Sequence, residues 1–507
     1  MAGLLSGGAA LSPFLRIMPP SEPAQTGKKN ILIIVFDALT AQNMSLYGYG
    51  RETTPNVQRL SERAIVYHNH FAAGNFTTPG TASLLTGVYP WTHRALQVAA
   101  RIYTPVRSHS LFHAFARYHR IAYSHNPLAD RLFYDLHGAL DNHLDVERLL
   151  LNSDGMIQTL FRNDEDAASL SWARAVKQEP IGGSSYSLFL PSLYRGWRAG
   201  QVEDLEKSFP LGLPFIRVDN FFILEDAIDF VSSELGLSPT PFLAYFHFIP
   251  PHEPYRTRAE FYGRFRGDGF RPPEKPTDIF GGRTRTRPFL RAARREYDEY
   301  LLYVDAEFAR LYQQLEDSGL LEDTWLIVTS DHGEMFERGI WAHTTPVLYQ
   351  PVIRVPLLIF EPGRTSRLDI HTATSAVDLV PTLLSVAGEA PAPWAEGTVL
   401  PPFGQAADAK RSVFALEATA NRRLAPLTIA TLMLIRGRHK LMYFTGYPEL
   451  GADNQRVELY DLQADPEELE NLASSQAQVT RTMLDELKAK LAEVNAPFEK
   501  ASRSRGI

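Results

Sequence analysis

Residues Asn30 to Leu39 read NILIIVFDAL, an unbroken apolar run rich in β-branched side chains that closes on an aspartate. With no polar alternation, such a run suits a strand covered on both faces, as in a parallel sheet. A carboxylate at its C-terminal end then stands where open α/β sheets hold their ligands. The same pattern returns twice. PFLAYFHFIPPHEPY (Pro241 to Tyr255) is a buried aromatic strand that runs into a proline-framed loop carrying His252. TWLIVTSDHGE (Thr324 to Glu334) is a strand that ends in Asp331 and His332.

Working outward, TPNVQRLSERA predicts a helix opened by Thr54 as N-cap and Pro55 as its first residue. A long helix is expected from about Arg291 to Ser318, then a buried strand in VPLLIFEPG, and a helix in TSAVDLVPTLLSVAG that ends at Gly388. From about Arg411 the pattern changes to antiparallel strands, a turn and a final helix beginning near Val479. These elements predict an α/β fold: a large, mostly parallel sheet flanked by helices, with a smaller antiparallel C-terminal subdomain. The expected division is a tail at 1–28, a main domain at 29–405 with an insertion or cap at 145–240, and a C-terminal α+β subdomain at 406–507.

Composition narrows the function. The chain has 507 residues, 44% hydrophobic and 21% charged, with a net charge of −7. That weak charge, with no basic stripe interleaved with aromatics, argues against a nucleic-acid partner. There is no cysteine, which removes disulfides, thiolate metal sites and cysteine nucleophiles. The first thirty residues, broken by Pro13, Pro19 and Pro20, lack a basic segment and an apolar stretch of signal length. No apolar run approaches the roughly 20 residues of a membrane span. The expectation is a soluble chain, cytoplasmic as given and extracytoplasmic if an upstream anchor is missing.

Two strand ends of one sheet would bring Asp37, Asp331 and His332 to a common rim. Hard oxygens with one imidazole suit one divalent ion, Mn²⁺, Mg²⁺, Ca²⁺ or Zn²⁺. Such an ion would neutralise an anionic ester and activate a coordinated hydroxyl. The stretch GNFTTPGTASLLTG (Gly74 to Gly87) supplies one: Thr77, which needs a base or a metal to become a nucleophile. Thr78 reads as a turn residue, with ASLLTG as the helix behind it.

At these residues the chain resembles the sulfatase branch of the alkaline phosphatase superfamily. NILIIVFDAL and LYGYGRETTPNVQRLSERAIVYHNHFA resemble the family's opening, FIPPHEPY its Pro-His-x-Pro-Tyr loop, and the segment from Leu301 to His343 its long helix, strand and Asp-His-Gly-Glu. VDLVPTLLSVAG and ELYDLQADPEELENLA resemble its late motifs. The resemblance implies an alkaline-phosphatase-like fold. It also implies that Asp37, Asp331 and His332 hold the metal together with the Thr77 oxygen, and that Thr77 is the nucleophile. His252 and His343 would contact the transferred anionic group or protonate the leaving oxygen.

TTPGTASLLTG departs from that family's Cys-x-Pro-Ser-Arg. Sulfatases convert the cysteine or serine to formylglycine, which releases sulfate by regenerating an aldehyde. Threonine cannot yield that aldehyde, because its Cβ carries a methyl group. Gly80 and Thr81 stand in place of Ser-Arg, and Ala38 replaces a second metal-binding aspartate. A phosphothreonine has another exit, in-line attack by water on phosphorus. The leading expectation is therefore a metal-dependent hydrolase or phosphotransferase of phosphoric esters, with a lipid- or glycan-linked anionic ester as partner. A sulfuric ester hydrolase is the alternative, and a catalytically inactive binding protein the third reading. The 145–240 region and RPFLRAARREY (Arg287 to Tyr297) are expected to shape the pocket.

Overall fold

The computed structural model describes residues 27–151, 177, 186–216, 220–282, 285–404 and 410–504. Residues 1–26 of the expected tail, and 152–176, 178–185 and 217–219 of the expected 145–240 insertion, lie outside these residues.

Among the described residues, eight strands form the central sheet: β1 (Asn30–Phe36), β2 (Ile65–Tyr67), β3 (His119–Ser124), β4 (Asn142–His143), β5 (Phe242–Phe248), β6 (Thr324–Thr329), β7 (Leu357–Phe360) and β8 (Leu368–Ile370). Their spatial order is β8-β2-β7-β6-β1-β5-β3-β4. β1 pairs in parallel with both β5 and β6, and β3 in parallel with β5. β7 alone runs against its neighbours β2 and β6. β1 and β5 are buried along their whole length, as an apolar run without alternation requires.

The two faces of the sheet are covered by different helices. Leu32, Ile34 and Phe36 of β1 pack with residues of two helices, Leu224–Leu237 and Arg287–Asp317. Ile31, Ile33 and Val35 face the other way, towards helices Thr77–Thr86, Pro127–Leu136 and Leu379–Val386. Side chains alternate strictly along a strand. Residue 37 therefore continues the second face, as do 247 after Leu243 and Tyr245, and 331 after Ile327.

RPFLRAARREY forms the first turns of helix Arg287–Asp317. Arg287 and Arg291 pair with Glu274, and Arg294 with Glu337. The helix at Pro55–Leu60 begins where expected, but the Thr54 side chain does not cap it. The Asp305 carboxylate accepts from the N–H groups of Asn56 (2.9 Å) and Val57 (2.8 Å), from across the core. That cap joins residues remote in sequence, so a local pattern does not reveal it.

A second sheet of four antiparallel strands, Ser412–Glu417, Ala430–Arg436, His439–Thr445 and Gln455–Asp461, follows. Helix Ala477–Ser504 brings Met483 and Leu487 against one of its faces. The other face, with Met433, Met442 and Phe444, packs on Met335, Ile340, Val347 and Tyr349, the segment that follows Asp331 and His332. The small sheet thus buttresses the rim of the large one. Among the described residues no helix is long and apolar enough to cross a membrane.

His93 shows how tightly the core excludes charge. Its Nδ1 accepts from the Ala95 N–H (3.1 Å), so Nε2 carries the proton and faces Ser83 Oγ at 3.0 Å. Burial pushes its pKa from 6.5 down to about 3. Below 6.5 the unfolded chain binds a proton that the folded chain refuses, so stability falls as the pH drops towards 3. The expected contribution is up to about 1.4 kcal/mol per pH unit. Urea unfolding of EDTA-treated protein should show this slope reduced by that amount in His93→Gln.

Candidate metal and ester site

Four neighbouring strands, in the order β6, β1, β5 and β3, deliver the polar cluster at their C-terminal ends. They supply Asp331 and His332, Asp37, His247 and Asn126 respectively. Asp37, Asp331, His332 and His247 are fully buried. The Asp37 N–H donates to the Phe248 carbonyl (2.9 Å), which prolongs the β1–β5 pairing to the site itself. The chain then turns through Ala38 at a left-handed φ of 59°. Tyr297 secures this turn: its hydroxyl donates to the Ala38 carbonyl (2.7 Å) and accepts from the Thr40 N–H (3.1 Å).

Asp37, Asp331 and His332 offer ligand atoms that all lie within 4.8 Å of one another. His332 Nδ1 lies 2.9 Å from the Gly333 carbonyl, which can only accept, so Nδ1 holds the proton. Nε2 of the neutral ring therefore presents a lone pair 3.1 Å from Asp37 Oδ1, which itself makes no hydrogen bond. A lone pair facing a carboxylate at this distance is repulsive unless a cation lies between them. In the absence of a metal a proton meets that need. Burial opposes the charged ring, but Asp331 and Asp37 outweigh it and push the His332 pKa up to about 9. Burial also opposes ionisation of Asp37, yet His252, His247 and His332 hold it well below the ordinary carboxylate value. The donor set fits a divalent cation.

Thr77 is the first residue of helix Thr77–Thr86 and is buried. Its Oγ1 lies 3.4 Å from Asp37 Oδ2, 3.4 Å from His332 Nε2 and 3.3 Å from the Asn126 amide nitrogen. Thr78 is not a turn residue, as the sequence suggested, but the second residue of the helix. The difference arises because Pro79 is tolerated in a first turn, where its missing N–H has no intrahelical partner. The same turn leaves backbone N–H groups near Thr77 available to an anion.

Gly80 and Thr81 explain their departure from the Ser-Arg pattern. A Cβ on Gly80 would lie 2.2 Å from the Asp331 carbonyl oxygen, so glycine lets the helix press against the Asp331 loop. Thr81 Oγ1 donates to Asp331 Oδ2 (3.2 Å). Together they tie the helix carrying Thr77 to the second carboxylate.

His252 and His343 complete the cluster. Their rings are 4.9 Å apart, and His343 is 4.2 Å from the His332 ring. His252 Nδ1 faces the Glu253 carbonyl at 2.7 Å, which fixes its proton there and leaves Nε2 for other partners. His343 Nδ1 lies 3.3 Å from both oxygens of Glu334. The two imidazoles differ in charge preference. Burial opposes the charged form of His252, but Asp37 and Glu334 carry its pKa above the ordinary value. Burial, with His332 and His252 nearby, drives His343 well below it. Burial also pushes Glu334 up to about 7.

The structure brings together all six residues singled out in the sequence: Asp37, Thr77, His252, Asp331, His332 and His343. Asn126, Glu334 and His247 were not singled out. Asn126 donates to Asp37 and lies beside Thr77, and its own oxygen caps helix Pro127–Leu136 through the Leu128 N–H (2.8 Å). Its signal was an Asn-Pro pair after the short run RIAYS. His247 could have been found by alternation along β5.

Comparison with known proteins identifies the family and the fold. The sulfatase family model matches residues 29–131 and 202–389. The chain belongs to the sulfatase family. A second model, the C-terminal region of N-sulphoglucosamine sulphohydrolase, matches residues 339–496. Choline-sulfatase of Rhizobium meliloti is 27% identical over 478 residues, covering 89% of this chain and 83% of the relative. A multifunctional alkaline phosphatase superfamily protein of Trinickia caryophylli is 24% identical and covers 89% of this chain and 92% of its own. The phosphonate monoester hydrolase of Agrobacterium radiobacter shares the fold, with a TM-score of 0.66 at 20% identity over 92% of this chain and 96% of that one. The alkaline-phosphatase-like α/β fold read from the sequence is thereby established.

The contact at Gly80 can be tested directly. Gly80→Ala should force the helix and the Asp331 loop apart, lowering stability by the ~1–3 kcal/mol typical of overpacking. Cation affinity should fall with it. Denaturant unfolding and calorimetric titration with Mn²⁺ or Zn²⁺ measure the two effects.

Proposed function

We propose that this member of the sulfatase family, a hydrolase of sulfuric or phosphoric ester bonds, acts on phosphoric esters through Thr77. The observation that carries the reading is the position of Thr77 Oγ1, 3.4 Å from both Asp37 Oδ2 and His332 Nε2, in a buried acid-imidazole cluster. Asp37, Asp331, His332 and the Thr77 oxygen would hold one divalent ion. When bound, that ion supplies positive charge to offset the ester's anionic oxygens and favours the ionised form of the threonine hydroxyl.

The chain's own groups account for the remaining work. Thr77 passes its hydroxyl proton to Asp37 Oδ2, the acceptor of its hydrogen bond, and its Oγ forms a bond to phosphorus, while the bond from phosphorus to the leaving oxygen breaks. That oxygen takes a proton from an imidazole of the His252–His343 pair. Water then attacks phosphorus, giving a proton back to that imidazole, while the bond from phosphorus to the Thr77 oxygen breaks, that oxygen recovers its proton from Asp37, and phosphate or a phosphate monoester is released. Asn126 holds Asp37 and Thr77 in register throughout.

Threonine favours phosphorus over sulfur, because a sulfothreonine lacks the aldehyde-forming exit of formylglycine. Sulfuric ester hydrolysis remains the second reading, favoured by the likeness to choline-sulfatase over most of the chain. Turnover of aryl phosphate mono- and diesters and of aryl sulfate by metal-loaded protein separates the two. Thr77→Ala should lower phosphate-ester turnover on the order of 10³-fold or more, while Thr77→Ser should retain much of it. A rapidly quenched reaction should show one phosphoryl group on the peptide containing Thr77. Faster turnover of the sulfate would overturn the reading. Metal binding with no turnover of any ester would favour a binding protein.

A further inference from the structure

We propose that Asn75 is a positioning residue for the ester chemistry: it ties the backbone that carries His343 to the helix that carries Thr77. The inference deepens the reading of Thr77 as nucleophile and of the His252–His343 pair as proton carriers, and it rests on that reading.

Asn75 lies two residues before Thr77 and is buried. Its side-chain nitrogen donates to the His343 carbonyl (3.2 Å) and to the Thr345 carbonyl (2.7 Å). A primary amide has two N–H donors, so both are committed to one loop. Turned over, the amide would set its oxygen against two carbonyl oxygens, so these contacts fix which end is nitrogen. The oxygen, on the other side, is buried without a partner. A buried acceptor without a donor destabilises a fold. Asn75 thus leaves half of its own hydrogen bonding unmet, and what it secures is the loop.

The loop has little else to hold it. Residues 342–349, between strand Ile340–Trp341 and the short helix Gln350–Ile353, form neither helix nor strand. Among the described residues, the carbonyls of His343 and Thr345 accept from Asn75 alone. Glu334 addresses the ring, with both its oxygens 3.3 Å from His343 Nδ1. Glu334 therefore sets the rotation of the imidazole, and Asn75 sets the backbone from which it rises. At its other end Asn75 moves with Thr77. A Cβ on Gly74 would lie 2.8 Å from Pro79 Cβ, so the chain before the helix is pressed against the helix's first turn. The amide is a short link between nucleophile and imidazole, where misplacement by about 1 Å costs on the order of 10²-fold in rate.

The test uses the full-length, Mn²⁺-loaded protein with phenyl phosphate as substrate. Asn75→Leu keeps the bulk of the side chain and removes both donors; kcat should fall roughly 10- to 100-fold, with KM changed less. His343→Gln should lower kcat at least as far. The double variant should be no slower than His343→Gln alone, because the tie acts through that imidazole. NMR of histidine-labelled, metal-free protein should show the His343 ring signals displaced in Asn75→Leu and those of His93 unmoved. Asn75→Ser, too short to reach either carbonyl, should give the same results and replaces Asn75→Leu if that variant does not fold. Wild-type kcat in a folded Asn75 variant would overturn the proposal. So would a double variant slowed by the product of the two single losses, or His343 signals that stay in place. Displaced His343 signals, with no turnover of phenyl phosphate by the wild type, would overturn the ester reading and the catalytic purpose of the tie, while leaving the tie itself.

Discussion

Two carboxylates, Asp37 and Asp331, are held away from water at the end of the same sheet, and the surrounding structure answers that electrostatic demand. Burial of an unbalanced charge is costly enough that proteins pair it, protonate it or place a metal beside it. Here the balance comes from above the strand ends: His332 and His247 within the cluster, Asn126 donating to Asp37, and Thr81 donating to Asp331. The sheet order makes this possible, because β6, β1, β5 and β3 are neighbours and all run parallel. Glycine at 80 and 333 lets other backbone segments come close; a Cβ at Gly333 would sit 2.1 Å from the Pro351 carbonyl oxygen.

Around that charge centre the site is graded. His252 and His343 are near neighbours, yet carboxylates act on one and burial beside other imidazoles acts on the other. Two like groups whose environments draw their proton affinities apart are the usual arrangement for sharing acid and base duties. A bound cation would offset part of the Asp37 field felt by His252 and narrow the difference. Thr77 sits at the junction, fixed by a helix that packs on the sheet through Ala82, Leu84 and Leu85. Its placement thus follows from core packing as much as from polar contacts.

Much of this was readable along the chain. The strands at Asn30, Phe242 and Thr324, the long helix and the antiparallel C-terminal strands each have a period or an apolar run of their own. Residues next to such runs, Asp37, Asp331 and His332, could be marked without knowing their neighbours. Thr77, His252 and His343 followed from the family resemblance. Asn126 was harder, since its strand, His119–Ser124, starts with two partly exposed polar residues and has a short apolar core. His247 was hidden in a run already explained as a buried aromatic strand. Asp305 as the cap of Pro55–Leu60 had no local signal at all.

By itself the sequence determined the type of each element, the face each residue takes on its strand, and the hydroxyl at position 77. These depend on backbone geometry within a few residues and on the covalent chemistry of threonine. Only the tertiary structure decided that β7 reverses direction, that Thr78 is helical, and that His247 and Asn126 share the space beside Asp37. Those outcomes depend on which strands become neighbours. Contacts across 89 residues, as between Asn126 and Asp37, are set by packing of the whole sheet rather than by any local pattern.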